Sequence, residues 1–297
     1  MRILLTGSTG FLGSALARYW QAQGHELCLL IRPSSPTARI ASLIDSVRIA
    51  RATTAEDGAA HIRAFVPHVV VHTACAYGRR GESPIDILDA NLRLGVALLH
   101  GALTQESHKT VFLNTGTVLA PNVGLYALSK TQFSQWGLAL ALQQPHQLQF
   151  IDIRLQQMYG PGDDRSKFST NVIEACRLGE ERLALTAGEQ QRDFIHIDDV
   201  IRAYDTILTR HQALNNSDAI EVGSGSAVTV RQFVELVHRL TSAKTRLDFG
   251  AVPYRTNEAM SCVADTARLR HLGWTPQFDL AAGITHTVAA LSDEQHG

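Results

Sequence analysis

The sequence predicts an α/β fold, with a doubly wound parallel sheet and a smaller second domain. Three observations predict it. Short β-branched and aliphatic runs alternate with segments of helical length through the first half. A glycine-rich turn joins the first run to the first helix, and after about residue 154 the alternation fades. Strand–helix alternation gives parallel strands covered by helices, and right-handed crossovers place those helices on both faces.

Taken in order, residues 2–6, 27–31, 47–50, 69–73, 110–114 and 150–153 read as strands. Segment 84–103 reads as a helix, because Ile85, Leu88, Leu92, Val96 and Leu99 recur at steps of three and four as one apolar stripe. Tyr159-Gly160-Pro161-Gly162-Asp163-Asp164 is a loop. Residues 170–180 form a helix, and 195–208 another whose N-cap is Asp198 or Asp199, which precede an apolar run. Residues 219–222 add a strand before the turn at 223–226, and 293–297 read as a frayed end.

Composition excludes several classes. The chain has 297 residues, enough for one large or two intimate domains. Hydrophobic residues at 45% and charged ones at 19% describe a folded globular protein. With 27 basic against 28 acidic residues the net charge is -1, so no basic surface for a phosphate backbone is expected and nucleic acid is excluded as a partner. No apolar run approaches the roughly 20 residues that span a bilayer. The N-terminal apolar stretch, Ile3-Leu4-Leu5, is too short for a secretory signal, so a cytoplasmic location is expected. Cys28, Cys75, Cys176 and Cys262 are too dispersed for a redox pair or zinc cluster and read as buried thiols. No metal site is expected: neither His72 nor His196 has a second ligand at useful spacing.

Gly7-Ser8-Thr9-Gly10-Phe11-Leu12-Gly13 follows the first strand and opens the first helix. Glycine suits this place because the backbone must turn sharply, approach a pyrophosphate and pack helix on strand. The helix N-terminus then offers free amides to the phosphates. This makes 1–154 a dinucleotide-binding domain, with 195–224 returning to it, and leaves 155–194 and 225–297 mainly for substrate. At the end of the second strand an NAD site usually carries a carboxylate for the ribose hydroxyls. Here Arg32, Ser34 and Ser35 stand instead, a set suited to a 2′-phosphate, which favours NADP(H).

Tyr126 and Lys130 are four residues apart on a predicted helix, hence on one face. A nearby ammonium stabilises phenolate and brings a phenol of reference pKa about 10 toward useful acid–base range. Thr115 closes the fifth strand, at the carboxyl end where ligands of open sheets sit, so its hydroxyl should face the same space.

With these residues the chain resembles the extended short-chain dehydrogenase/reductases that modify nucleotide sugars. The likeness also takes in Val71-His72-Thr73-Ala74, Asn91, and the stretch from Arg192-Asp193-Phe194 to Asp198-Asp199-Val200. The loop from Tyr159 to Phe168, the run from Gly188 to Phe194, and Pro253-Tyr254-Arg255-Thr256-Asn257-Glu258 look most like its CDP-abequose and CDP-paratose synthase branch, which reduces a 4-keto group.

The resemblance implies a Rossmann fold and residue roles. Tyr126 would be the acid, Lys130 would hold the nicotinamide ribose, and Thr115 would bond the sugar carbonyl. Thr9, Phe11, Leu12, Thr73 and Ala74 would join the glycines around the cofactor. Arg192 and Arg255 would grip the substrate diphosphate, with Tyr77, Lys167, Phe168 and Glu258 completing that site. A homodimer through helices flanking the sheet is common in the family, and the 84–103 stripe suits that or burial within one chain.

Two departures stand out. The gap between Thr115 and Tyr126 is short, and the third strand ends without the aspartate that often contacts adenine. Family dehydratases carry Asp-Glu just after the threonine, where this chain has Gly116-Thr117, so dehydration fits poorly. The expected reaction is NADPH-dependent reduction of a nucleotide-activated 4-keto-6-deoxy or 3,6-dideoxy hexose. A 4-epimerase is the alternative, and a non-catalytic nucleotide-binding module a weaker one.

Overall fold

The computed structural model describes residues 1–293; the last four residues, within the expected frayed end, lie outside the described residues. The first half runs β1 (Arg2–Thr6), α1 (Phe11–Ala22), β2 (Glu26–Ile31), β3 (Arg48–Arg51), α2 (Ala55–Phe65), β4 (Val69–His72), α3 (Pro84–Leu88), a π-helical turn (Asp89–Arg93), α4 (Leu94–Leu103), β5 (Thr110–Thr117), α5 (Leu125–Gln143) and β6 (Leu148–Leu155). The second half runs β7 (Gln157–Tyr159), α6 (Phe168–Leu178), β8 (Arg182–Leu185), β9 (Gln191–His196), α7 (Ile197–Arg210), β10 (Ser217–Val222), β11 (Ala227–Thr229), α8 (Val230–Leu240), β12 (Arg246–Phe249), β13 (Ser261–Cys262), α9 (Ala267–His271) and α10 (Leu280–Asp293).

The chain divides into two compact units, Met1–Arg154 with Ile207–Ile220, and Leu155–Thr206 with Glu221–Gly297. The returning segment is narrower than 195–224, because β9 and the start of α7 are built into the second unit's own sheet and loops. The first unit carries a seven-stranded sheet in the order β10-β6-β5-β4-β1-β2-β3. Its β3-β2-β1-β4-β5 pairings are parallel. Order reverses at β1, the switch point where open α/β sheets bind ligands. Leu4, Cys28, Val70, Phe112, Phe133 and Phe150 form its core. The second unit packs Tyr159, Ile173, Phe194, Phe233 and Ile284 around β9, which pairs with β7, β11 and β13.

Three expectations need correction. The 84–103 helix contains the π turn, whose extra residue shifts the helical register. Ile87, Asn91, Gly95, Leu98, Leu99 and Ala102 are buried and Leu92 and Val96 partly so, whereas Ile85 and Leu88 are exposed. Gly95 is required there, since a Cβ would lie 2.4 Å from the Phe133 ring. Ile195 belongs to a strand, so α7 starts at Ile197. Asp199 is fully buried, and its carboxylate accepts from the Gln277 and Phe278 amides, 2.7 and 3.0 Å, besides pairing with Arg202. Of the cysteines, Cys28 and Cys176 are buried, but Cys75 and Cys262 only partly. Among the described residues no helix is long and apolar enough to cross a membrane.

Candidate active site

The glycine loop is held by contacts that only glycine permits. Gly7 has φ +68°, and a Cβ on it would lie 2.5 Å from Thr73 Oγ1 and 2.6 Å from the Ala74 amide. A Cβ on Gly13 would lie 2.2 Å from the Gly7 carbonyl. The Gly10 amide donates to that carbonyl at 2.9 Å. Thr73 Oγ1 donates to the Thr6 carbonyl at 2.8 Å, and Thr6 Oγ1 lies 2.8 Å from His72 Nδ1, so the ends of β1 and β4 are stitched together beside the loop. Gly10 caps α1 without a side-chain bond to the first turn, which contains no acid. Those amides are presented to an anion. Arg32 and Ser34, just past β2, are exposed, and the Ser35 amide closes a turn on the Arg32 carbonyl at 3.0 Å.

Along α5, Tyr126, Lys130 and Ser134 occupy one stripe at successive steps of four. Tyr126 is half-buried, and its ring stacks on Tyr77 with centroids 4.8 Å apart and planes at 25°. The Arg79 guanidinium covers Tyr77 from 5.3 Å. Lys130 is buried, and its Nζ makes no hydrogen bond to protein. Burial pushes its ammonium down, while Cys75 and Asp152 raise it. In turn burial, and secondarily Lys130, keep His72 neutral far below the usual imidazole range. Asn91, in the π turn, donates to Ser129 Oγ at 3.0 Å and exchanges bonds of 2.7 and 2.9 Å with the Ala76 backbone. It thus ties the segment carrying Tyr77 to α5. Thr115 is half-buried near the end of β5, on which α5 packs.

In the second unit Arg192 pairs with Glu258 across β9 and the 253–258 segment, so two residues expected to meet a ligand separately form one ion pair. Lys167 pairs with the buried Asp163 at 2.9 Å. Phe168 is partly exposed, its ring 6.1 Å from Phe233, and Arg255 is exposed. Asp193 is fully buried, and its carboxylate accepts from the Ser224 amide and hydroxyl, both 2.7 Å, and from the Gly225 and Ala264 amides at 3.0 and 3.1 Å. That fixes the 223–226 turn to β9.

His196 does have a ligand-type neighbour, 90 residues away: His286 Nδ1 lies 3.3 Å from its Nε2. Asp198 sits on the other ring nitrogen, its amide donating to Nδ1 at 3.3 Å, and one ligand-type atom from each of His196, Asp198 and His286 lies within 4.8 Å of the other two. Burial drives His196 down to about 4, against a raising effect of Asp198. Unfolded histidine titrates near 6.5. Native protein therefore binds fewer protons than unfolded chain in this window, and stability present above about pH 6.5 is lost as pH falls toward 4. The thermal midpoint is expected to drop between pH 7 and 5, and His196→Phe to flatten the drop. An equally steep drop in the variant would assign it to other groups, such as His72.

The NAD dependent epimerase/dehydratase family matches residues 3–223, well over half of the chain. The chain belongs to that family. It is 32% identical over 230 residues to the CDP-abequose synthase of Salmonella typhimurium, covering 75% of this chain and 76% of that one. To the CDP-abequose synthase of Salmonella muenchen it is 28% identical over 289 residues, 95% of each. Its fold is similar to that of a UDP-glucose 4-epimerase from Thermotoga maritima, with TM-score 0.84 at 22% identity over 99% of this chain and all of that one.

Within this epimerase/dehydratase framework, the residues read from the sequence fall into two groups. Gly7, Thr9, Gly10, Phe11, Leu12, Gly13, Thr73, Ala74, Tyr77, Thr115, Tyr126 and Lys130 lie in the first unit; Lys167, Phe168, Arg192, Arg255 and Glu258 lie in the second. Asp152 is not marked by any motif, although an ionisable residue in the apolar run Phe150-Ile151-Asp152-Ile153 is itself a signal. The partnership of His286 with His196 left no trace in spacing.

Proposed function

We propose that this member of the family uses NADPH to reduce the 4-keto group of a nucleotide-activated 4-keto-6-deoxy or 3,6-dideoxy hexose. The observation that carries the reading is the space beside Thr115. A Cβ on Gly116 would lie 2.5 Å from Asp152 Oδ1, so the position after the threonine has no room for the acidic side chain a dehydratase places there. Similarity to two CDP-abequose synthases supports the same choice.

The residues fit a nicotinamide dinucleotide. Positions 7 and 13 leave the backbone open where a Cβ could not stand, and Lys130 offers a buried ammonium with no protein acceptor. When bound, the dinucleotide supplies hydride to the carbonyl carbon. Tyr126 gives its proton to the carbonyl oxygen as charge develops there. The Thr115 hydroxyl donates to the same oxygen. Lys130 holds the ribose hydroxyls and stabilises the phenolate that Tyr126 becomes. Arg192 and Arg255 bind the substrate diphosphate, for which Arg192 must share or exchange its bond to Glu258. A homodimer would cover the exposed apolar groove where Leu88, Leu92 and Val96 meet Trp136.

Purified protein given NADPH and CDP-, dTDP-, GDP- or UDP-linked 4-keto sugars is expected to oxidise NADPH with at least one. No oxidation with any of them overturns the reading, and interconversion of 4-epimers without net NADPH loss identifies an epimerase. Arg32 accounts for cofactor choice: Arg32→Ala should weaken NADPH about 10–100-fold, the size of a charge-assisted contact, and leave NADH unchanged. Equal affinity of the unaltered protein for both cofactors would sink that assignment.

A further inference from the structure

We propose that Asp152 is a positioning residue for the Tyr126–Lys130 pair. It is the buried countercharge of Lys130 and the clamp on the strand end that carries Thr115. The carboxylate is almost wholly enclosed. Its Oδ1 accepts from Asn114 Nδ2 at 2.8 Å and from Ser134 Oγ at 2.7 Å. Its Oδ2 accepts from Arg154 Nε at 3.2 Å. Asn114 and Gly116 flank Thr115 on β5, and the carboxylate touches both positions, by a hydrogen bond at one and by occupying the Cβ space of the other. Ser134 is one step of four beyond Lys130, which is one step beyond Tyr126. One carboxylate thus holds the strand of Thr115 and the helix stripe of Tyr126 together.

The charge argument is separate. An isolated buried ammonium is costly and tends to shed its proton. Lys130 has no hydrogen-bonding partner to offset burial. The titratable groups acting on it are His72 from β4, Cys75 just after β4, and Asp152 from β6. His72 is neutral, and of the rest only Asp152 is ordinarily charged at neutral pH. Arg154 tempers that charge from a half-exposed position, where water screens it. Asp152, together with Cys75, therefore opposes the loss of the Lys130 proton.

The charge pairing concerns this chain alone; its consequence for turnover rests on the function proposed above. The chain has four lysines, so lysine labelled at Cε gives four NMR resonances. Lys130 is assigned by Lys130→Arg, or by elimination with Lys109, Lys167 and Lys244 changed to Arg. In the unaltered protein without ligand, Lys130 is expected to remain protonated at pH 7. Asp152→Asn keeps the shape and the Oδ1 bonds from Asn114 and Ser134, gives up the one from Arg154, and should lower the Lys130 midpoint by about one pH unit or more, the usual effect of losing a close countercharge. NADPH affinity should then fall at correspondingly lower pH in the variant. If Lys130 titrates below pH 7 in the unaltered protein, the countercharge is refuted whether or not the variant folds. An identical midpoint in both proteins refutes it too, and leaves Asp152 a purely structural acid. Failure of every 4-keto sugar to react would overturn the functional reading and leave this titration standing.

Discussion

Tyr126→Phe is expected to slow NADPH-dependent reduction by about 10²–10⁴-fold, the usual worth of a positioned general acid. The substitution removes one hydroxyl and keeps the ring, so the stack on Tyr77 at 4.8 Å survives. Lys130 is buried by other neighbours and keeps its place, so NADPH affinity and the thermal midpoint should be nearly unchanged. The loss then falls on kcat and on kcat/KM alike, the pattern of an interaction made only in the transition state. Steady-state rates with fluorescence-detected NADPH binding separate the possibilities. A Phe variant as fast as the unaltered protein would remove Tyr126 from the role of acid. A variant that no longer binds NADPH would show that the phenol serves the cofactor first.

Asp193→Ala is expected to cost the most stability of any single change considered. The native carboxylate satisfies three backbone amides and one hydroxyl from the 223–226 turn and Ala264. A buried donor left unsatisfied costs about 1–3 kcal/mol, so several together become comparable to the margin of a typical domain, about 5–15 kcal/mol. The ring of contacts leaves little slack, because even a Cβ on Gly223 would lie 2.4 Å from Asp193 Oδ2. Denaturant unfolding of Asp193→Ala beside Asp193→Asn measures the effect. A loss under about 1 kcal/mol in the alanine variant would mean that water replaces the carboxylate without penalty.

What could be read from the sequence was local. The glycine loop, the Tyr126–Lys130 step and the first six strands each sit within a few residues of chain, where periodicity and turn chemistry operate. The start of α7 lies later than the sequence suggests because Ile195 to Leu208 is apolar enough to suit strand or helix, and only the pairing of β9 with β7 decides the first two residues. The apolar stripe on 84–103 is buried only in part: Leu99 lies in the core and Leu92 and Val96 pack against it, whereas Ile85 and Leu88 are exposed. Asn91 and Gly95 take buried positions because Ser129 accepts a hydrogen bond from Asn91 and the Phe133 ring leaves no room for a Cβ at 95. The long-range partners, Asp152 with Asn114 and Ser134, or Arg192 with Glu258, depend on how distant segments meet. No spacing rule encodes that.

The contact between Gly116 and Asp152 also limits the paths by which this sequence can change. An aspartate introduced at 116 alone would meet an existing carboxylate at a distance where both atoms and charges collide. Shrinking residue 152 alone would strand Asn114 and Ser134 and leave Lys130 without its opposing charge. Either step is harmful singly, whereas the pair together restores one acid to the same small volume, so the two substitutions are expected to be strongly non-additive. A route from this reductase-like arrangement toward a dehydratase-like one therefore crosses a fitness valley unless some third change first relaxes the strand end. The two sites should accordingly vary together among descendants of this chain, although 36 positions of sequence separate them.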